Sequence, residues 1–243
     1  MDFTNKTVCI TGAATGIGRG CAHEFAKMGA RLILMDINSE KLENVKTELK
    51  EFPVLTYVCD VTDEVKVNAC IQDAKSKFGT IDILVNNAAL WRSFQSFMET
   101  DVDTWKQFLD VNVMSAVYLT RACLPDMLDK KYGKIINVAS VAGVYGNANM
   151  VHYSATKGAL IAMTKGLAKE VADKGITVNC VSPGSVSPAE NPDLDYTEPS
   201  ELAFMNRTGS DRENANLICF LASDEASYIS AQNIQIDGCR RKQ

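Results

Sequence analysis

The chain of 243 residues has only two histidines, two tryptophans and six prolines, and no excess of basic side chains. Lysine and arginine number 25 against 30 acids, for a formal charge of −5. A surface without a basic excess has little to set against a phosphate backbone, which argues against a nucleic-acid partner. No uncharged apolar run approaches the ~18 residues of a membrane-spanning helix. The opening MDFTNKTVCITG has no apolar stretch behind a basic cap, so no signal peptide is expected. The eight cysteines (Cys9, Cys21, Cys59, Cys70, Cys123, Cys180, Cys219 and Cys239) are scattered, and none form CxxC. They read as reduced, mostly buried thiols of a cytoplasmic protein; neither a disulfide framework nor a metal centre is expected.

What is present is an alternation. Short runs rich in Val and Ile (7–11, 31–35, 54–58, 82–86, 134–139, 176–181 and 232–236) are separated by segments with helical spacing of apolar residues (17–28, 39–51, 63–78, 101–128, 153–173 and 211–223). Strands that are apolar nearly throughout hide both faces, which implies a parallel sheet covered by helices. The expected fold is α/β: one domain over 1–243, a doubly wound, Rossmann-like sheet of seven parallel strands with helices on both faces. No linker, repeat or low-complexity block divides it. The stretch 184–206, rich in Pro, Ser, Asn and acids, reads as a lid-like loop.

After the first strand comes TGAATGIG, with Gly12, Gly16 and Gly18 around Thr15 and Ile17. Glycines at a strand-to-helix turn let the backbone approach a ligand, and the helix start behind them offers N–H groups to a diphosphate. The spacing is GxxxGxG rather than GxGxxG, and a glycine turn without a ligand is the plainer alternative. Asp36 closes the second strand, 18 residues beyond Gly18. An acid there accepts hydrogen bonds from an adenosine ribose and repels a 2′-phosphate, which favours NAD over NADP. The directions of Arg19 and Arg31 are not legible. The alternative role of Asp36, capping the next helix, is better filled by Ser39.

Tyr153 and Lys157 stand at i and i+4 on one helical face, ~6 Å apart. An ammonium stabilises a phenolate, so it is expected to lower the tyrosine pKa from about 10 and fit it for proton transfer at a carbonyl–alcohol oxygen. Ser140 ends a strand 13 residues earlier and could hydrogen-bond the same oxygen. Taken alone, such a pair is more commonly a surface feature; the order of glycine loop, acid, serine and Tyr-x-x-x-Lys on one fold is what gives it weight.

In that order the sequence resembles the short-chain dehydrogenase/reductase family, from Lys6 to Gly238. The matching pieces are TGAATGIG, Asp60-Val61, Asn86-Asn87-Ala88, Asn112, Ser140, YSATK (153–157) and Pro183-Gly184. The resemblance implies hydride transfer between a nicotinamide cofactor and an alcohol or carbonyl. Tyr153 would be the general acid/base and Ser140 would orient the reacting oxygen. Lys157 would bind the nicotinamide ribose, and Asn112 would interrupt its helix and hold a relay water. Asp60 and Val61 would flank the adenine, Asn87 and Ala88 line the path of the adenosine and ribose, and Val186 meet the carboxamide. Two departures stand out: Ala89 replaces the glycine of NNAG, and Pro188 replaces the threonine of PGxxxT, which puts closure of the loop over the cofactor in doubt.

The resemblance places the substrate pocket along Trp91, Arg92, Ala142, Tyr145, Met150, His152 and 188–206, with His152 a helix-start or pocket-edge side chain. The lid acids Glu190, Asp193, Asp195, Glu198 and Glu201 disfavour an anionic substrate. A small neutral polyol, sugar, cyclic ketone or steroid-like alcohol is expected, in a homotetramer or homodimer. The alternatives are an NADPH-dependent 3-oxoacyl carrier-protein reductase and a nucleotide-sensing regulator with little chemistry.

Overall fold

The computed structural model describes residues 1–187 and 190–241. Seven parallel strands form one sheet in the order β3-β2-β1-β4-β5-β6-β7. They are β1 (Thr7–Thr11), β2 (Arg31–Asp36), β3 (Val54–Val58), β4 (Ile83–Asn86), β5 (Gly133–Val138), β6 (Ile176–Pro183) and β7 (Asn233–Ile236). Each coincides within a residue or two with an apolar run of the sequence. The chain order reverses between β1 and β4, and the cleft at the carboxyl ends of the strands opens there.

The strands read as apolar throughout because the sheet has a core on each face. Val8, Ile10, Leu32 and Leu34 point to one side, against Phe25 of α1 (Gly16–Lys27), Leu42 of α2 (Ser39–Glu48) and Ile218 of α8 (Asp211–Ala222). Cys9, Ile33 and Met35 point to the other, against α3 (Glu64–Phe78), α5 (Ser115–Lys130) and α7 (Val151–Val171). All are fully buried. Truncating one of these aliphatic side chains to alanine costs about 2–5 kcal/mol.

The predicted helix over 101–128 is interrupted. α4 (Val102–Leu109) passes through a π-helical turn, Asp110–Met114, into α5. One extra residue per turn leaves the 3.6 period readable on both sides, so the break is invisible to periodicity. Asn38, not Ser39, caps α2: its side chain accepts from the Lys41 N–H, and Ser39 is already helical. α6 (Ala142–Tyr145) is a four-residue helix that the sequence did not signal. The segment 184–206 contains no helix or strand among its described residues and is held by isolated bridges, Val186 to Gly209 and Pro199 to Arg207.

Candidate active site

The glycine loop is built by close contact. Gly12 and Gly16 have φ of +61° and +56°, which only glycine adopts cheaply. A Cβ on Gly18 would stand 2.0 Å from the Gly12 carbonyl oxygen, so the loop folds back onto its own helix. The Asn87 amide ties it down, donating to the Thr11 and Gly12 carbonyls at 2.9 and 3.0 Å, while Thr11 Oγ1 accepts the N–H groups of Asn87 and Ala88. The start of α1 has no side-chain cap and no acid in its first turn. By contrast, α2, α3, α4 and α8 are capped by Asn38, Asp63, Asp101 and Ser210. Free N–H groups at an uncapped helix start, under a glycine cradle, fit the diphosphate of a dinucleotide.

These residues border a cleft of about 1070 Å³. Gly12, Thr15, Gly16, Ile17, Asp36, Asp60, Val61, Asn87, Ala88 and Ala89 line one part of it. Ser140, Met150, Tyr153, Lys157, Pro183, Gly184 and Val186 line another, with Trp91 and Arg92 at the mouth. Gly18 lies behind the loop rather than in the lining. Asp36 accepts from the Ala14 and Asn38 N–H groups at 3.0 and 2.9 Å. Asp60 accepts from the N–H and hydroxyl of Thr62, which hold its carboxyl below the usual range.

Lys157 is buried, 5.8 Å from the Tyr153 ring centre, and its ammonium donates to the Val138 carbonyl at 2.7 Å. Burial brings its pKa down to about 8. Burial also raises the Tyr153 pKa, against the opposing effect of the Ser140 hydroxyl. This corrects the expectation of a phenol acidified by its lysine: in the protein alone desolvation outweighs that ammonium. Ser140 Oγ accepts the Ala142 N–H at 3.1 Å, which leaves its own proton free to donate. Asn112 is buried in the π-turn. Its Oδ1 accepts the Leu90 N–H at 2.7 Å, and its Nδ2 donates to the Leu90 carbonyl and to Thr156 Oγ1, both at 3.0 Å.

A strand-end serine and a Tyr-Lys helix face therefore converge on one dinucleotide-sized cleft, with the Asn112 clamp buried behind its lining, and comparison with known proteins gives the same grouping. A family model described as enoyl-(acyl carrier protein) reductase matches residues 12–239. The chain belongs to the short-chain dehydrogenase/reductase family. A family member from Thermotoga maritima, 3-oxoacyl-[acyl-carrier-protein] reductase FabG, is 38% identical over 98% of both chains. The 2-dehydro-3-deoxy-L-rhamnonate dehydrogenase (NAD(+)) of a Sphingomonas strain is 33% identical, over 98% of this chain and 96% of that one. The crystal structure of an NAD+-bound xylitol dehydrogenase superposes with a TM-score of 0.90 at 31% identity, covering 98% of this chain and all of the other.

Within this short-chain fold three expected pocket residues lie elsewhere. Ala142 is buried outside the lining, and Tyr145 is turned out by α6, with its hydroxyl on Gln235 at 2.6 Å. His152 is fully buried, edge-on to Phe108 at 4.4 Å and Trp105 at 6.1 Å, with its pKa lowered by burial; it packs the core beside the cleft. Pro188 lies outside the described residues. Ser185 and Ser187, the stand-ins for the missing threonine, both border the cleft, but the Ser187 hydroxyl is engaged with the Tyr196 and Gly209 carbonyls and with Thr208.

The acidic lid is partly neutralised: Glu190 pairs with Lys41 and Asp195 with Arg212, and of the five acids Glu198 alone lines the cleft. Sequence reasoning missed Thr156, which joins Asn112 to the Tyr153 carbonyl. It also missed Gly143, where a Cβ would stand 2.5 Å from the Lys157 backbone. The Tyr-x-x-Thr-Lys spacing carried the first signal; the second depends on a helix crossing that the sequence does not show.

Proposed function

We propose that this chain is an NAD-dependent oxidoreductase acting on a secondary alcohol or ketone. The family supports an enzyme acting on CH–OH groups, and the dinucleotide choice rests on the ribose end of the cleft. Asp36 lines the cleft at the end of β2, and a carboxylate there favours a ribose hydroxyl and repels a 2′-phosphate. Arg19, beside the glycine loop, is turned away, forked onto Glu48 at 2.9 and 3.1 Å with its third arm on the Pro192 carbonyl. Arg31 starts β2 at the opposite end and donates to the Asn5 carbonyl. Neither of these two guanidinium groups is free to support a second phosphate there.

The bound nicotinamide would supply the hydride acceptor or donor. Tyr153 holds the proton that passes to or from the substrate oxygen. The free hydroxyl proton of Ser140 steadies that oxygen as charge develops on it. Lys157, fixed by Val138, presents its remaining N–H groups to the cleft, and Asn112 anchors the Leu90 segment and α7 on either side.

The test is direct binding of NAD+ and NADP+ by calorimetry. NAD+ is expected to bind at least tenfold more tightly, and Asp36→Ala to erase the difference. Tighter binding of NADP+ to the unaltered protein overturns the choice.

A 3-oxoacyl carrier-protein reductase is the second reading. It is favoured by the name of the Thermotoga relative and by Arg92, which stacks on Trp91 at 4.9 Å at the cleft mouth and has no carboxylate partner among the described residues. A substrate panel separates the two: highest kcat/KM on small neutral alcohols or ketones supports the first, and on acyl thioesters the second. Exposed Phe97 and Met98 before α4, and Val102 and Leu109 at its two ends, support a homo-oligomer, read by light scattering as a multiple of 26.5 kDa.

A further inference from the structure

One side chain in the cleft lining has no task in this reading. Asp211, the first residue of α8, is 4% exposed and borders the cleft with Gly12, Thr15, Gly16 and Ile17. α1 fixes its place: a Cβ on Gly20 would stand 3.1 Å from the Asp211 carbonyl oxygen and 3.4 Å from its Cβ. Gly20 is four residues beyond Gly16, so Asp211 packs about one helical turn, ~6 Å, from the uncapped start of α1. Its Oδ1 is buried and has no hydrogen-bond partner. The start of its own helix is committed elsewhere. The Arg212 N–H donates to the Leu194 carbonyl, and Ser210 and Glu213 close a reciprocal cap.

The charged groups around Asp211 are mostly paired. From α1, Arg19 attracts it but is held by Glu48, and Cys21 is a buried neutral thiol. Glu24 is shared by Lys27 and Arg212, Asp195 of the lid also takes Arg212, and Glu213 takes Arg207. Glu198 borders the cleft. Lys134 of β5 lies near Asp224, Cys180 of β6 faces Lys157, and Asp224 and Glu225 follow the far end of α8. Burial raises the Asp211 pKa to about 6.

We propose that Asp211 is a protonatable member of the diphosphate subsite. As a neutral acid it donates its O–H to a phosphate oxygen of the bound dinucleotide; as a carboxylate it repels that oxygen. The proton comes from solvent, so binding takes up a proton and weakens as pH rises. The inference rests on the dinucleotide reading of the cleft but holds for either NAD+ or NADP+.

Calorimetry on the full chain with NAD+ between pH 5.5 and 7.5, in two buffers of different ionisation heat, tests it; NADP+, whose 2′-phosphate itself titrates at about pH 6, serves only as a check of binding. That window stays below the deprotonation of Lys157 near pH 8. If binding raises the Asp211 pKa by one unit, the Kd should rise about sixfold across the window, with net proton uptake near pH 6.5. Asp211→Asn should flatten both and bind at pH 7.5 as tightly as the unaltered protein does at pH 5.5. Asp211→Ala should be equally flat but weaker, because it has no donor. A flat unaltered protein, or a slope that survives in Asp211→Asn, overturns the inference while leaving the dinucleotide reading intact. No binding of either dinucleotide at any pH overturns both.

Discussion

At the scale of single residues, the Tyr153–Lys157 pair is governed by burial before it is governed by attraction. Desolvation carries the two pKa values past each other and apart, the phenol upward and the ammonium down to about 8. The protein alone therefore holds Tyr153 as a neutral phenol throughout the physiological range. Ultraviolet difference titration of the free protein against Tyr153→Phe should place the midpoint of this residue above that of an ordinary tyrosine. A midpoint below 9 would mean that the lysine prevails over burial. The same substitution should lower kcat by about 10²–10⁴, the usual worth of a positioned acid/base, with the Kd for dinucleotide changed by less than a few-fold. A loss of binding that matches the loss of rate would assign Tyr153 to ligand binding instead of proton transfer.

At the scale of elements, the site is held by places where regular structure is broken or pressed together. The π-turn of 110–114 carries Asn112 inward to grip both the Leu90 backbone and Thr156. Asn112→Ala leaves a buried N–H, a carbonyl and a hydroxyl short of a partner, at about 1–3 kcal/mol for each group left unsatisfied. The urea midpoint should fall accordingly, and kcat should fall with it as α7 and the 88–92 segment lose their common anchor. An unchanged kcat in a destabilised variant would confine Asn112 to stability.

The strands and the glycine loop were legible in the sequence because two-sided burial and positive φ each impose a residue type, as in Val8–Ile10 and Gly12. The π-turn was not legible in the periodicity, since one inserted residue leaves the apolar period intact on both sides; the family resemblance alone, through Asn112, implied an interruption there. Nor was the outward turn of Tyr145, which depends on the four-residue α6 and a hydrogen bond to Gln235, 90 positions away.

At the scale of the whole molecule, neighbouring acids at the start of α8 pull stability in opposite directions with pH. Glu213, held by Arg207 and the Ser210 cap, has a pKa depressed to about 2. Its contribution is present above the unfolded value near 4.3 and is lost as pH falls toward 2. Asp211 is the reverse. Its folded pKa of about 6 lies above the unfolded value near 3.9, so the unfolded chain ionises first as pH rises. Below about pH 4 the carboxyl is neutral in both states and costs nothing; above about 6 the native state bears the full cost of a buried, half-satisfied carboxylate. A two-unit gap corresponds to ~3 kcal/mol. Asp211→Asn should therefore raise Tm at pH 7.5 by roughly 6–12 °C, at about 2–4 °C per kcal/mol for a chain of this size, and leave it unchanged at pH 4. Equal shifts at both pH values would place the gain in packing rather than charge. A drop at pH 7.5 would mean that the carboxylate is better satisfied than its orphaned oxygen indicates. If the shift is confined to pH 7.5, α8 carries an acid that weakens the fold where it borders the dinucleotide cleft, a cost consistent with retention for binding.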